Sequence, residues 1–488
     1  MIGIKSYGAY IPWNRLNRKA IYAATGWFNS FTLSYARGEK AIASYDEDSL
    51  SMSVAAGMDC LRGIGEEEAT GALEALYLSS TTLPYRERQN AGIVAAALGL
   101  PEEIRTADFT GSMKAGTAAL LAACESVQAG GKSAMVCSAD CRQGKAGSVQ
   151  EQLFGDGGAA LLVGDSGVIA AFEGFHSIAA DFVDHRRADT DKFDRAWEER
   201  WLRDEGFVKF IPRVIKGLLD KYGLKISDFA KIIYPCPYGN VHASIGKIAG
   251  AGPEQLQDNL IASVGDTGAA HPLLMLAAAL EEAKPGDRLL VVGYGNGCDA
   301  LIFRVTDEIE KSRAGMARKG VKGYLARRRE LNSYEKYAAF QGILPLDLGI
   351  RGEDIPATAF SLLWRERKAV LSLSGSKCRA CGTPQFPSQR VCVNPECGAI
   401  DDMEEYKFAW RKGSIFTFTA DNLAVSGEPP AIYGIVNFEG GGRFWFDFTD
   451  CELKAVKVGA PVTMSFRRKY LDQGRGVHGY FWKAVLND

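Results

Sequence analysis

The sequence predicts an α/β protein with sheets covered on both faces, followed by a metal-binding module and a small antiparallel β-barrel. Three observations carry this. Up to about residue 308, short apolar runs alternate with helical stretches rich in Ala and Gly. Four cysteines then fall in two close pairs, Cys378-x2-Cys381 and Cys392-x4-Cys397. After residue 400 the apolar period changes to two.

In the first region "ALYLSST", "SAMVCSA", "GAALLVG", "KIIYPCP" and "RLLVVGYG" read as buried strands. "DSLSMSVAAGMDCLRGI", "NAGIVAAALGL", "MKAGTAALLAACESVQ" and "HPLLMLAAALEEA" read as helices, and their small residues permit close packing on a sheet. Residues 309–370 are charged and mostly helical, the pattern of a solvated face or linker. In the tail, "GSIFTFTADNL", "AIYGIVNFEGGGRFWFDFTD" and "PVTMSFRRKYL" alternate as strands, with a hairpin turn at 440–442.

A chain of 488 residues calls for two or three domains, and 47% apolar with 24% charged content is globular. The net charge of −2 gives no reason to bind nucleic acid or an anionic membrane. Half of the barrel aromatics Phe416, Phe418, Phe444, Trp445 and Phe446 should be core, which also argues against an oligonucleotide platform. No apolar run approaches the roughly 20 residues that span a bilayer, and the N-terminus lacks a signal-peptide core. A cytoplasmic location without membrane partners is expected.

The paired cysteines are a specific signal. Each pair brings two sulfurs onto one ion, so Cys378, Cys381, Cys392 and Cys397 complete a closed tetrahedral zinc site. With no open position the ion is structural.

"SLLWRERKAVLSLSGSKCRACGTPQFPSQRVCVNPECG" and the β-rich tail resemble the zinc-ribbon/OB-fold accessory proteins of thiolase-superfamily enzymes. "SYDEDSLSMSVAAG", "MKAGTAAL", "FGDGGAALLVGD" and "GDTGAAHPLLMLAAALEEAKPGDRLLVVGYGNGCDALIF" resemble the archaeal-type hydroxymethylglutaryl-CoA synthases. The resemblance implies a duplicated αβαβα thiolase core, with halves at 1–165 and 166–308. A helical linker (309–370), a zinc ribbon (371–400) and an OB fold (401–488) would follow. It also implies a CoA-thioester substrate, chemistry at a C–C bond, and a homodimer or a heteromer with another thiolase-superfamily subunit.

The family's catalytic residues do not carry over. Its Cys before the Lys of a K-A-G-T segment falls on Met113, whose thioether has no ionisable proton and cannot hold an acyl group. Its His in an H-x-P-N-like stretch falls on Pro235 of "YPCPYGN". Its Asn in a G-N-T-like turn falls on Asp266, and its Glu in a G-S-E-S-x-P-Y-like stretch on Thr81. Ser112 could replace the nucleophile only with a paired base, and Pro235 removes the obvious one.

Two outcomes follow. In the first, C–C cleavage or condensation proceeds without an acyl-enzyme. A retro-aldol reaction needs a base on the β-hydroxyl and stabilisation of the thioester enolate, but no cysteine. Candidate groups are Asp266, His271, Tyr238, His242 and Tyr294. Some thiolase-like proteins associated with such zinc-ribbon/OB partners are steroid side-chain aldolases, so the resemblance makes this chemistry reasonable. Lys114, Arg186 and Arg187 are candidates for CoA phosphates, by charge alone. In the second outcome the chain is a non-catalytic subunit, and Met113 fills space where a partner's cysteine does the chemistry.

Overall fold

The apolar runs of the first 308 residues become strands of one mixed sheet. In chain order they are β1 (Gly3–Tyr10), β2 (Ala75–Ser79), β3 (Arg105–Phe109), β4 (Ser133–Asp140), β5 (Gly157–Gly164), β6 (Ala170–Ala179), β7 (Lys231–Ile233), β8 (Arg288–Tyr294) and β9 (Gly297–Val305). In space they run β7-β8-β9-β6-β1-β5-β4-β2-β3. The computed structural model describes residues 1–65, 73–314, 317–349 and 358–487.

The sheet has an internal repeat. Strand β1 is antiparallel to β5, β5 antiparallel to β4, and β4 parallel to β2. In the second half β6, β9, β8 and β7 reproduce that series: antiparallel, antiparallel, parallel. The halves join where Gly3 and Ile4 face Ala171 and Ala170. Where the first half adds β3, the second has a single parallel bridge between Ile232 and Leu256. The core is thus the duplicated α/β architecture expected.

Burial explains the sequence pattern. Every residue of β4 and β5 is buried, so these strands do not alternate; β5 is apolar throughout, while β4 carries buried Ser133, Ser138 and Asp140 among its apolar residues. Helices α1 (Ala115–Gln128), α2 (Val208–Tyr222) and α3 (His271–Glu282) follow strands or turns of this sheet. At Gly116 of α1 an added Cβ would lie 2.2 Å from the Ala269 carbonyl oxygen, so only glycine fits this approach. Strand β7 is shorter than "KIIYPCP" suggests. It ends at Ile233, because Pro235 and Pro237 bring no N–H to a ladder.

The chain divides into two compact units. The first comprises Met1–Ser44, Met52–Ala91 and Glu103–Ile343. It therefore takes in much of the charged stretch, where Arg329–Leu331 pairs with Asn14–Asn17 and Tyr337 and Phe340 are buried. Residues 315–316 and 350–357 of that stretch lie outside the described residues.

The second unit comprises Tyr45–Ser51, Gly92–Glu102 and Leu344–Asp488. Strands β10 (Ser374–Cys378), β11 (Pro384–Gln385) and β12 (Met403–Lys407) form its ribbon sheet. Five more, β13 (Gly413–Asp421), β14 (Ala431–Phe438), β15 (Arg443–Asp447), β16 (Pro461–Asp472) and β17 (Val477–Leu486), are ordered β15-β14-β13-β16-β17. Alternation holds here: Val436, Phe438 and Phe446 are buried while Phe416 and Trp445 face outward. A buried ion cluster ties the segment at 45–51 to this sheet. Arg467 meets Glu47 at 2.6 Å and Asp450 at 2.5 Å, and Lys483 meets Asp46 at 2.8 Å.

Candidate functional site

In the first unit a cavity of about 80 Å³ lies where the turn before α1, the β8–β9 turn and the loops after β6 and β7 converge. Met113 lines it. The backbone holds that side chain in place. Ser112 Oγ donates to the Gly295 carbonyl at 2.9 Å, and a Cβ at Gly295 would lie 2.8 Å from the amide nitrogens of Met113 and Lys114. The two turns touch because residue 295 has no side chain.

Among the described residues no cysteine lines the cavity. Cys236 and Cys298 are fully buried. Burial pushes the Cys236 thiol up to about 12 and that of Cys298 upward as well, so neither is a ready thiolate.

Asp266, Tyr238 and Tyr294 line the cavity together with Pro235. Asp266 Oδ2 pairs with Arg142 Nη2 at 2.7 Å, and its Oδ1 accepts the Gly268 N–H at 3.0 Å. Burial alone would raise this carboxyl, but the Arg142 guanidinium outweighs it and holds Asp266 below the usual range. Arg142 also stacks on the Phe154 ring, 3.9 Å from its centroid. Tyr294 stacks on Phe207 at 4.2 Å, and its buried hydroxyl has no hydrogen-bond partner of good geometry among the described residues. Burial raises the pKa of both tyrosines. Phe207 ends a π-helical segment, Leu202–Phe207, that brings Leu202 and Phe207 to the cavity wall.

His271 and His242 are not among the cavity-lining residues. His271 is fully buried with both ring nitrogens engaged: Nδ1 accepts the Thr267 N–H at 3.2 Å, which leaves Nε2–H to donate to the Asn259 carbonyl at 2.8 Å. It braces the Asp266 turn. His242 stacks on Tyr234 at 4.5 Å, and burial lowers its pKa to about 4.

The remaining positions are occupied structurally. Lys114 Nζ pairs with Asp299 at 2.9 Å, and Arg187 is held by Asp194 at 3.5 Å and by the Thr81 carbonyl. Arg186 is exposed. Thr81 is spent on Asp140, a fully buried carboxylate that accepts from Ser80 Oγ, from the amides and hydroxyls of Thr81 and Thr82, and from the Ala269 amide. Asp140 thereby fastens the 80–82 turn to the turn that carries Asp266.

One lining pair was not foreseen. Asp184 and His185 both face the cavity, and Asp184 Oδ1 accepts from the His185 backbone N–H at 2.6 Å and ring Nδ1 at 2.8 Å. The dipeptide stands just before Arg186 and Arg187, and adjacency in sequence alone does not mark it as a pair.

In the second unit the four predicted cysteines come together. Their sulfurs lie within 4.8 Å of one another, with Cys378–Cys397 at 3.7 Å and Cys381–Cys392 at 3.5 Å. A tetrahedral centre with Zn–S near 2.3 Å requires about 3.8 Å between sulfurs, so the set fits.

Family models agree with this division. The ChsH2 rubredoxin-like zinc ribbon domain matches residues 365–401, and the ChsH2 C-terminal OB-fold domain matches 407–467. The first unit matches hydroxymethylglutaryl-CoA synthases. That of Methanopyrus kandleri is 34% identical over 319 residues, 64% of this chain and 90% of the relative. That of Pyrococcus furiosus is 32% identical over 343 residues, 69% of this chain and 95% of the relative.

The chain belongs to the hydroxymethylglutaryl-CoA synthase family. Solved structures agree on the fold of this family member. An HMG-CoA synthase complexed with CoA superposes with TM-score 0.62 at 18% identity, covering 72% of this chain and 92% of that one. The 3-oxoacyl-(acyl carrier protein) synthase III of Pseudomonas aeruginosa gives 0.55 at 20%, covering 62% and 98%. Among the described residues no helix is long and apolar enough to cross a membrane.

Proposed function

We propose that this synthase-family protein binds a CoA thioester and cleaves or forms a C–C bond in it without an acyl-enzyme, by a retro-aldol type of reaction. The observation that supports this is the cavity wall: Met113 stands at the start of α1 while polar side chains, Asp266, Tyr238 and Tyr294, remain around it. A degenerate binding shell would be expected to lose these groups with the nucleophile. The reaction needs a proton taken from a β-hydroxyl and charge stabilised on the thioester oxygen as the Cα–Cβ bond breaks. The Tyr294 hydroxyl, which lies near Asp184 without a hydrogen bond of good geometry, can donate to that oxygen, and the Arg142–Asp266 pair keeps the turn in place.

Size narrows the acyl group. A cavity of about 150 Å³ admits benzene, and this one, open to solvent on one side, offers about 80 Å³. A short acyl chain fits it. Exposed Arg186 is the remaining candidate for a CoA phosphate. The four thiolates of the ribbon would hold one structural zinc ion, and the protein would act in the cytoplasm as a homodimer or heteromer.

The test incubates the purified chain with short β-hydroxyacyl-CoAs and follows the carbonyl product and the shortened acyl-CoA. Turnover that falls at least tenfold in Asp266→Asn and Tyr238→Phe, with no acyl mass added to the protein, supports the reading. An acyl adduct on Ser112 would overturn it. Turnover only after adding a cysteine-bearing partner would replace it with the non-catalytic subunit.

A further inference from the structure

We infer that His185, positioned by Asp184, is the general base of this cavity, an assignment that rests on the retro-aldol reading above. Of the chain's five histidines, His185 alone is among the cavity-lining residues. Its ring Nδ1 meets Asp184 Oδ1 at 2.8 Å, and the same oxygen accepts its backbone N–H at 2.6 Å. A nearly buried carboxylate therefore fixes the tautomer that carries the proton on Nδ1, which leaves the Nε2 lone pair available. The side chain keeps 25% of its exposure and is among the residues lining the cavity.

A two-stranded turn holds the pair. Residues His185–Arg186 pair with Arg195–Ala196, and the Trp197 N–H donates to the Asp184 carbonyl at 3.0 Å. The other polar groups of the wall are less suited to take a proton. Asp266 is tied to Arg142, and the hydroxyls of Tyr238 and Tyr294 hold theirs tightly.

In the cleavage direction Nε2 takes the β-hydroxyl proton and the O–H electrons become the new C=O bond. The Cα–Cβ bond breaks, and its electrons pass to the thioester enolate. The imidazolium then returns the same proton to Cα, giving acyl-CoA and a regenerated base. No oxidant or second substrate is required.

The experiment compares wild type with His185→Gln, His185→Ala and Asp184→Asn. It measures kcat, thioester Kd, pH–rate profiles, and exchange of Cα protons of the product acyl-CoA in D2O. His185→Gln is expected to lose about 10²–10⁴ in kcat, with Kd within threefold, and to lose Cα exchange. The acid limb of the profile should vanish in His185→Gln, and added imidazole should restore part of the His185→Ala rate. Asp184→Asn should lower kcat without raising Kd and shift that limb, a change that mere support of the turn would not produce. The other titratable and charged groups that line the cavity are Asp184, Asp266, Arg142, Tyr238 and Tyr294. Wild-type turnover with His185→Gln within threefold overturns the assignment and leaves the reaction standing. Absence of both cleavage and exchange in the wild type overturns the reaction itself, and the assignment with it.

Discussion

Asp140 offers the most direct test of how the cavity is held. Its two oxygens accept six hydrogen bonds, and three come from backbone amides at Thr81, Thr82 and Ala269. In Asp140→Ala the hydroxyls of Ser80, Thr81 and Thr82 can rotate to other acceptors, but the amides cannot. A buried amide left without a partner costs about 1–3 kcal/mol. The Thr82 amide keeps Ser80 Oγ at 2.9 Å, so the two orphaned amides, Thr81 and Ala269, give about 2–6 kcal/mol, and water entering the vacated space brings the expected loss to about 3 kcal/mol. Asp140→Asn keeps one oxygen but turns an NH2 group toward donors, so about half that loss is expected. Guanidinium unfolding of the full chain would show the midpoint shift, read as a change in midpoint at constant slope. Amide exchange at 80–82 and 266–270 should quicken together. A loss below about 1 kcal/mol with unchanged exchange would refute the role given to Asp140.

Three further outcomes follow. Tyr294→Phe should leave stability unchanged or slightly higher, since the buried hydroxyl makes no good hydrogen bond, while turnover drops at least tenfold; equal turnover would show that the hydroxyl is unused. His242 is depressed from 6.5 to about 4, so the unfolded chain binds its proton first. Its contribution is complete above pH 6.5 and is lost as pH falls toward 4; it amounts to about 3 kcal/mol, and His242→Phe should flatten that part of a stability–pH curve. Metal analysis should give one zinc per chain, removed by a strong chelator with unfolding of the ribbon. Cys392→Ser should lower zinc content without changing thioester binding in the first unit.

Much of this was legible in the residues. Predominantly apolar, non-alternating runs such as Ser133–Asp140 and Gly157–Gly164 mark strands buried on both faces, and the cysteine spacing marks the ribbon, because both signals are local in sequence. Met113, Pro235, Asp266, Tyr238 and Tyr294 were found beside the cavity for the same reason, each standing in a recognisable turn. His271 was less legible. Its position before Pro272 says nothing about Thr267 and Asn259, which use up both its ring nitrogens. Lys114 and Arg187 carry charge whose partners, Asp299 and Asp194, are fixed only by the fold. Asp184–His185 escaped notice because two adjacent residues become a dyad only when a short ribbon points both at the same space.

The cluster around Arg467 bears on how the gene can be divided. An excised 344–488 module would keep Asp450 beside Arg467 but would lose Glu47 from that guanidinium and Asp46 from the enclosed Lys483 ammonium, both encoded some three hundred codons before residue 344. Orphaning an enclosed cation costs about 3–5 kcal/mol, a large share of what a domain of this length possesses. Separate expression of the two parts would therefore demand a compensating change at Arg467 or Lys483, which makes covalent fusion a condition of the present sequence.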